Sequence, residues 1–201
     1  MLPEILRAAR DLIVRNGFEA TTIHDIARLA GVEAEAVVTL FKKKENILFI
    51  LARQTRHNIL RLSKAATVGS KEPVDTLKRL VKVFINYTEN NTDEMIVLAK
   101  ADPSLRLDLS RFPNKEYDFL RDEYLYLFES AIDWGIRENH FEGVVSRHAA
   151  KVVVSLLNGV CTQLCTDFTV SYLAEEILMF VEKRFAGPDP AAGGSAPPAE
   201  G

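Results

Sequence analysis

Apolar and polar positions recur at helical spacing along almost the whole chain. Ile5, Leu6, Ala9, Leu12 and Ile13 share one face of a helix predicted over Pro3 to Asn16, with Pro3 in its first turn and Asn16-Gly17 as its stop. A second helix starts at Thr21-Thr22-Ile23-His24-Asp25, where a threonine caps and Asp25 stands three residues after Thr22, and it runs to about Leu29. Ala30-Gly31-Val32 makes a tight turn, and a short helix follows from Glu33 to about Leu40. A long fourth helix begins near Lys43 and continues to about Ala65, with Ile47, Leu48, Leu51, Ile59, Leu60 and Leu62 near helical spacing.

Beyond Gly69, helices are predicted at Val74 to Asn90, Thr92 to Ala101, Lys115 to Asn139, Ser146 to Phe168 and Ser171 to Phe185. Asp102 to Asn114, with two prolines, reads as a looser connector. No strand-like alternation between hairpin turns stands out, so the fold class is all-α with about nine helices. Residues 187 to 201 contain no aromatic or β-branched side chain. Such a segment buries too little surface to offset its ordering entropy, and it reads as a flexible tail.

Composition narrows the classes. With 47% of 201 residues hydrophobic and 26% charged, the chain has the balance of a globular protein with a sizeable core. A net charge of −3 argues against a surface coated in positive charge for nucleic acid, but a local patch decides a small DNA-reading face. No apolar run approaches the roughly 18 residues of a membrane span, and the N-terminus lacks the layout of a secretion signal, so a cytoplasmic protein without a membrane partner is expected. Cys161 and Cys165 lie four apart on one helical face and read as small buried hydrophobes. The four histidines, His24, His57, His140 and His148, are scattered, with no nucleophile or paired carboxylates at a spacing that suggests catalysis or metal binding. No enzyme, cofactor or metal site is expected.

Helix, short turn with a glycine, helix is the layout that lays a second helix in the DNA major groove. The surroundings make the pattern specific. Ile5-Leu6-x-Ala8-Ala9-x-x-Leu12, Gly17-Phe18, Thr21-Thr22-Ile23-x-x-Ile26-Ala27, Ala30-Gly31-Val32 and Phe41-x-x-Lys44-Glu45-x-Ile47-Leu48 follow one another in a fixed order. In order and spacing they resemble the N-terminal signature of the tetracycline-repressor-like (TetR) family. The resemblance implies an N-terminal three-helix helix-turn-helix domain over residues 1–46 and a larger helical ligand-binding and dimerisation domain over 47–186. It implies a transcriptional regulator with double-stranded DNA, a pseudo-palindromic operator, as partner.

In that family the third helix reads bases, and a threonine opening helix two and a lysine opening helix four hold phosphates. Thr22 and Lys44 match those two positions, Lys42 and Lys43 add charge beside them, and His24, which opens helix two, is a further candidate for a phosphate contact, with an exposed surface histidine as the alternative. The base-reading set is Glu33, Ala34, Glu35, Ala36 and Thr39. Here the chain departs from its family. Glu33 stands at the usual serine or threonine cap, Glu35 at a common glycine, Val38 at the tyrosine and Leu40 at the histidine. The helix offers no Arg, Lys, Asn or Gln for bidentate base contacts, although a glutamate accepts from cytosine and the Thr39 methyl fits a thymine methyl. Residues 1 to 50 hold seven basic side chains against seven acidic ones, so weak or salt-sensitive DNA binding is expected.

The segment from Lys115 to Asn139 carries large apolar side chains on more than one side. It is expected to be a core helix that, as the resemblance implies, also helps wall a cavity for a small hydrophobic effector. Tyr87, Met95, Leu98, Tyr124, Phe128 and Asn158 are the candidate ligand-binding residues. The last two helices resemble the family's dimerisation pair, with Val152, Leu156, Gly159, Val160, Leu164, Ile177 and Val181 as candidate homodimer contacts. The functional expectation is a repressor released by its effector. The alternative is a ligand-binding or protein-interaction dimer whose helix-turn-helix no longer reads DNA.

Overall fold

A computed structural model of the chain describes residues 1–103, 116–164 and 170–185. Its described elements are helices only: α1 (Leu2–Asn16), α2 (Ile23–Ala30), α3 (Ala34–Phe41), α4 (Lys44–Thr67), α5 (Pro73–Asn90), α6 (Thr92–Ala101), α7 (Glu116–Arg137), α8 (Ser146–Gln163) and α9 (Val170–Phe185). The all-α class holds, and each described helix falls within a few residues of its predicted bounds. Most of the predicted connector, the last residues expected of the Ser146 to Phe168 helix, Cys165 and the tail from 187 lie outside the described residues.

Apolar side chains sort into two clusters. The head is built from one face of α1 (Ile5, Ala9, Ile13) against Phe18, Ile26, Val37 and Phe41. It does not end with the three short helices. Ile47, Leu48 and Leu51 of α4 and Val97 and Ala101 of α6 complete it. The body cluster takes the rest of α4, with Ile59 and Leu60, and the buried faces of α5, α7, α8 and α9. Thus α4 and α6 belong to both cores.

Backbone requirements explain two glycines. Gly31 closes α2 at φ 69° and ψ 35°, a left-handed conformation that costs other residues about 1–2 kcal/mol, and its N–H bonds back to the Arg28 carbonyl. Gly135, inside α7, lies under the ring of Phe141, so a Cβ there would fall 2.1 Å from a ring carbon. The chain leaves α7 by folding back at this point: the N–H groups of His140 and Phe141 both bond to the Gly135 carbonyl, at 2.8 and 3.2 Å. Phe141 then packs on Phe185 of α9, with ring centroids 4.9 Å apart.

A polar knot ties head to body. Glu94 of α6 accepts from Tyr87 Oη of α5 at 2.5 Å and from Thr55 Oγ1 of α4 at 3.3 Å, and it pairs with Arg10 of α1 at 3.4 Å. Burial, and then the hydrogen bond it gives Glu94, hold the Tyr87 hydroxyl above the ordinary phenol range, so it remains a donor. Nearby, Lys100 Nζ donates to the Val14 carbonyl at 2.9 Å.

Candidate functional site

The head presents α3 at the surface. Val37 and Phe41 point inward, Ala34 and Ala36 are half-buried, and Glu33, Glu35, Val38, Thr39 and Leu40 are exposed. Of the expected base-reading set, α3 thus exposes Glu33, Glu35 and Thr39, beside the apolar Val38 and Leu40. Glu33 precedes the helix with extended backbone and makes no side-chain cap bond. Its charge acts on the helix end through space.

Thr22 caps α2 by accepting from the Asp25 N–H at 3.1 Å, and its hydroxyl donates to Asp25 Oδ2 at 2.6 Å. That bond, first among several causes, lowers the Asp25 pKa, and Arg28 pairs with the same carboxylate at 2.6 Å. His24, Lys42 and Lys43 are exposed around the same surface. Lys42 links α3 to α4 with φ 65°, in a tight turn that brings the Lys43 N–H to the Phe41 carbonyl at 2.8 Å.

Lys44, the expected phosphate contact at the start of α4, is held within the head. Its ammonium donates to the carbonyls of Phe18, Glu19 and Thr21 at 2.9, 3.0 and 3.1 Å and lies 4.6 Å from the Phe18 ring centroid. An ammonium has three donors, and here each has an acceptor within the chain. The side chain clamps the α1–α2 loop onto α4. Spacing alone did not reveal this, because the three carbonyls come from more than twenty residues upstream.

The body encloses a cavity of about 780 Å3 between α4, α5, α6, α7 and α8. That size lies within the roughly 300–1,000 Å3 of small-molecule sites. Met95, Leu98, Tyr124 and Asn158 of the expected set line it. Two candidates do not. Phe128 is fully buried behind the wall, edge-on to Tyr124 with centroids 5.3 Å apart. Tyr87 faces the Glu94 knot instead, because its hydroxyl finds a carboxylate there. Both are aromatic residues on apolar stripes, and periodicity does not tell a wall from the layer behind it.

The sequence reading missed Arg56, whose charge on the buried stripe of α4, between Ala52 and Leu60, was the available signal. Arg56 pairs with Asp102 at 3.0 Å, stacks 4.7 Å from the Tyr117 ring centroid, and lines the cavity. Tyr117 Oη donates to the other Asp102 oxygen at 3.1 Å. Among the described residues, no cluster of His, Cys, Asp and Glu is arranged to hold a metal ion. Cys161 is a buried cysteine on the cavity wall, its Sγ 3.8 Å from the Met95 carbonyl, and no described helix is long and apolar enough to cross a membrane.

A second hollow, of about 530 Å3, runs between α8 and α9 and is almost wholly apolar. Val152, Leu156 and Gly159 are exposed along it, with Tyr172, Met179 and Phe180 exposed on α9. Val160 and Ile177 form the hollow's buried floor, whereas Val181 is buried in the chain's own core and Leu164 packs half-buried against that core. Of the expected dimer set, Val152, Leu156, Gly159, Val160 and Ile177 thus line this hollow.

Residues 5–50 match the family described as bacterial regulatory proteins, tetR family. No curated protein matches the chain by sequence. Solved structures match over nearly its whole length. A regulatory protein of the tetR family from Rhodococcus RHA1 is 21% identical, with 93% of this chain and 97% of that one covered and a TM-score of 0.78. The transcriptional regulator FadR from Bacillus subtilis, solved in complex with stearoyl-CoA, is 19% identical, with 90% and 97% covered and a TM-score of 0.73. The ketosteroid transcriptional regulator KstR2 of Mycobacterium tuberculosis is 16% identical, with 92% and 95% covered and a TM-score of 0.73.

Proposed function

We propose that the chain, whose residues 5–50 match the tetR family of bacterial regulatory proteins, is a DNA-binding transcriptional repressor released by a small hydrophobic effector. The observation that carries this reading is the sharing of α4 and α6 between the two cores. On α4, Leu48 and Leu51 pack in the head while Arg56 and Ile59 line the cavity. On α6, Val97 and Ala101 pack in the head while Met95 and Leu98 line the cavity. Whatever spreads the cavity walls displaces the two helices that hold the reading head. An effector shifts the balance only by its differential affinity for the two arrangements. That FadR is described with stearoyl-CoA and KstR2 as a ketosteroid regulator supports a hydrophobic effector here.

DNA is engaged by a homodimer joined through the exposed face of α8 and α9, which sets two copies of α3 about one DNA turn apart, roughly 34–36 Å. Selection of duplexes from random DNA, with the full chain at low salt and no effector, is expected to yield a pseudo-palindrome of that spacing. Recovery of no specific duplex sinks the proposal.

A second reading, a ligand-binding or protein-interaction dimer that no longer reads DNA, is favoured by Glu33 and Glu35 exposed on α3 and by Lys44 turned inward. Glu35→Lys separates the two. Under the second reading the substitution creates DNA affinity where there was none. Under the first it abolishes preference for the selected duplex.

A further inference from the structure

Charge is distributed unevenly around the body cavity. Arg121, Arg147 and Lys151 line it with exposed side chains and mark its mouth. Arg121 is countered by Asp118 and Asp122 at 3.2 and 3.4 Å, and Arg147 by Glu129 at 3.2 Å. Lys151 has no ionic or hydrogen-bonded partner among the described residues. The only acidic residues on the cavity wall, among those described, are Asp122 and Asp102, and both are already paired with arginines. Inward, Ile59, Met95, Leu98, Leu120, Leu125 and Val154 line the wall together with the rings of Phe84 and Tyr124, a surface with room for an aliphatic chain.

The inner wall adds an independent observation. Arg56 Nε and Tyr124 Oη are both covered, and among the described residues neither has a hydrogen-bond partner. Burial keeps the Tyr124 hydroxyl protonated, so both groups are donors without an acceptor. Buried donors left unmade are among the costlier defects in a core, and each calls for an explanation. A neutral hydrocarbon would leave both unmade, and a cation would set its charge among cations.

Resting on the reading of this cavity as an effector site, we infer that its ligand is an amphiphilic anion: an aliphatic chain along the inner wall, a carbonyl that accepts from Arg56 and Tyr124, and negative charge met by the cationic mouth. Engaging the covered donors takes a side-chain rotation, and the two hydrogen bonds gained offset it. A free long-chain carboxylate and an acyl thioester of a phosphate-bearing carrier share this chemistry.

The test is calorimetric titration of the full chain at low salt with palmitate, palmitoyl-CoA, its carbonyl-free thioether S-hexadecyl-CoA, and hexadecylamine. At least one acyl probe is expected to bind, and which one does identifies the source. Hexadecylamine is expected to bind at least tenfold more weakly. The double variant Lys151→Glu, Arg147→Glu should weaken acyl binding by about tenfold, with the difference shrinking in high salt. Tyr124→Phe should weaken the acyl probes about three- to tenfold and leave the thioether unaffected. Its ligand-free melting temperature should be unchanged or raised, because the hydroxyl removed has no hydrogen-bond partner among the described residues. Equal or tighter binding of hexadecylamine, binding of neither acyl probe, or wild-type affinity in both variants overturns the inference. Calorimetry reads the DNA-free protein, so acyl binding by a chain that selects no duplex leaves the inference standing while the regulator reading falls. Duplex selection without acyl binding does the reverse.

Discussion

Lys44 and Arg56 lie twelve residues apart on α4, and in both cases the surroundings of the cation define its role. The Lys44 ammonium satisfies three carbonyls of the α1–α2 loop, while its stem covers Phe18. Charge-assisted hydrogen bonds contribute about 1.5–3 kcal/mol when made. Lys44→Met keeps the stem and removes the donors, so the DNA-free protein should lose about 1–3 kcal/mol of stability, measured by denaturant unfolding. A residue whose only task was to hold a phosphate would show no such loss. The lysine was legible in the sequence as part of the family signature; its acceptors were not, because they are backbone atoms brought up by the fold of a distant loop.

Among the elements, α7 shows how one missing Cβ fixes a junction. Gly135 lets the Phe141 ring lie against the helix, and that ring carries the contact to Phe185 of α9. Gly135→Ala would place a methyl 2.1 Å from a ring carbon, and Phe141 is too buried to swing into solvent. Overpacking of this kind costs about 1–3 kcal/mol. The melting temperature should fall by about 2–4 °C per kcal/mol in a chain of this size. An unchanged melting temperature would mean that Phe141 repacks freely and that the α7–α9 junction is soft.

On the scale of the whole molecule, neighbouring leucines of α8 have opposite duties. Leu157 is fully buried in the body core, whereas Leu156 is 39% exposed along the apolar hollow shared with α9. Leu156→Asp should therefore leave the helical content unchanged and dissociate the proposed homodimer. A hot-spot loss of about 2 kcal/mol raises the dissociation constant about thirtyfold, which sedimentation at micromolar concentration resolves. Leu157→Asp should instead unfold the chain, since a lone charge in an apolar core has no compensation. A Leu156→Asp protein that sediments like the wild type would place any dimer contact elsewhere.

Local pattern was enough to determine the helices, their order, and the helix-turn-helix with its capping threonine and turn glycine. Each of these depends on residues within a turn or two of one another, through periodicity, capping and backbone preference. The acidic, apolar outer face of α3 was legible for the same reason. Tertiary structure alone decided which apolar stripes face which neighbour. It set Phe128 and Tyr87 away from the cavity and Arg56 into it, and it buried Val160 and Val181 while leaving Val152 and Leu156 exposed. Hydrophobic attraction is non-directional, so a stripe of leucines and valines specifies burial without naming the partner. The partner follows from how nine described helices share two cores, with α4 and α6 belonging to both.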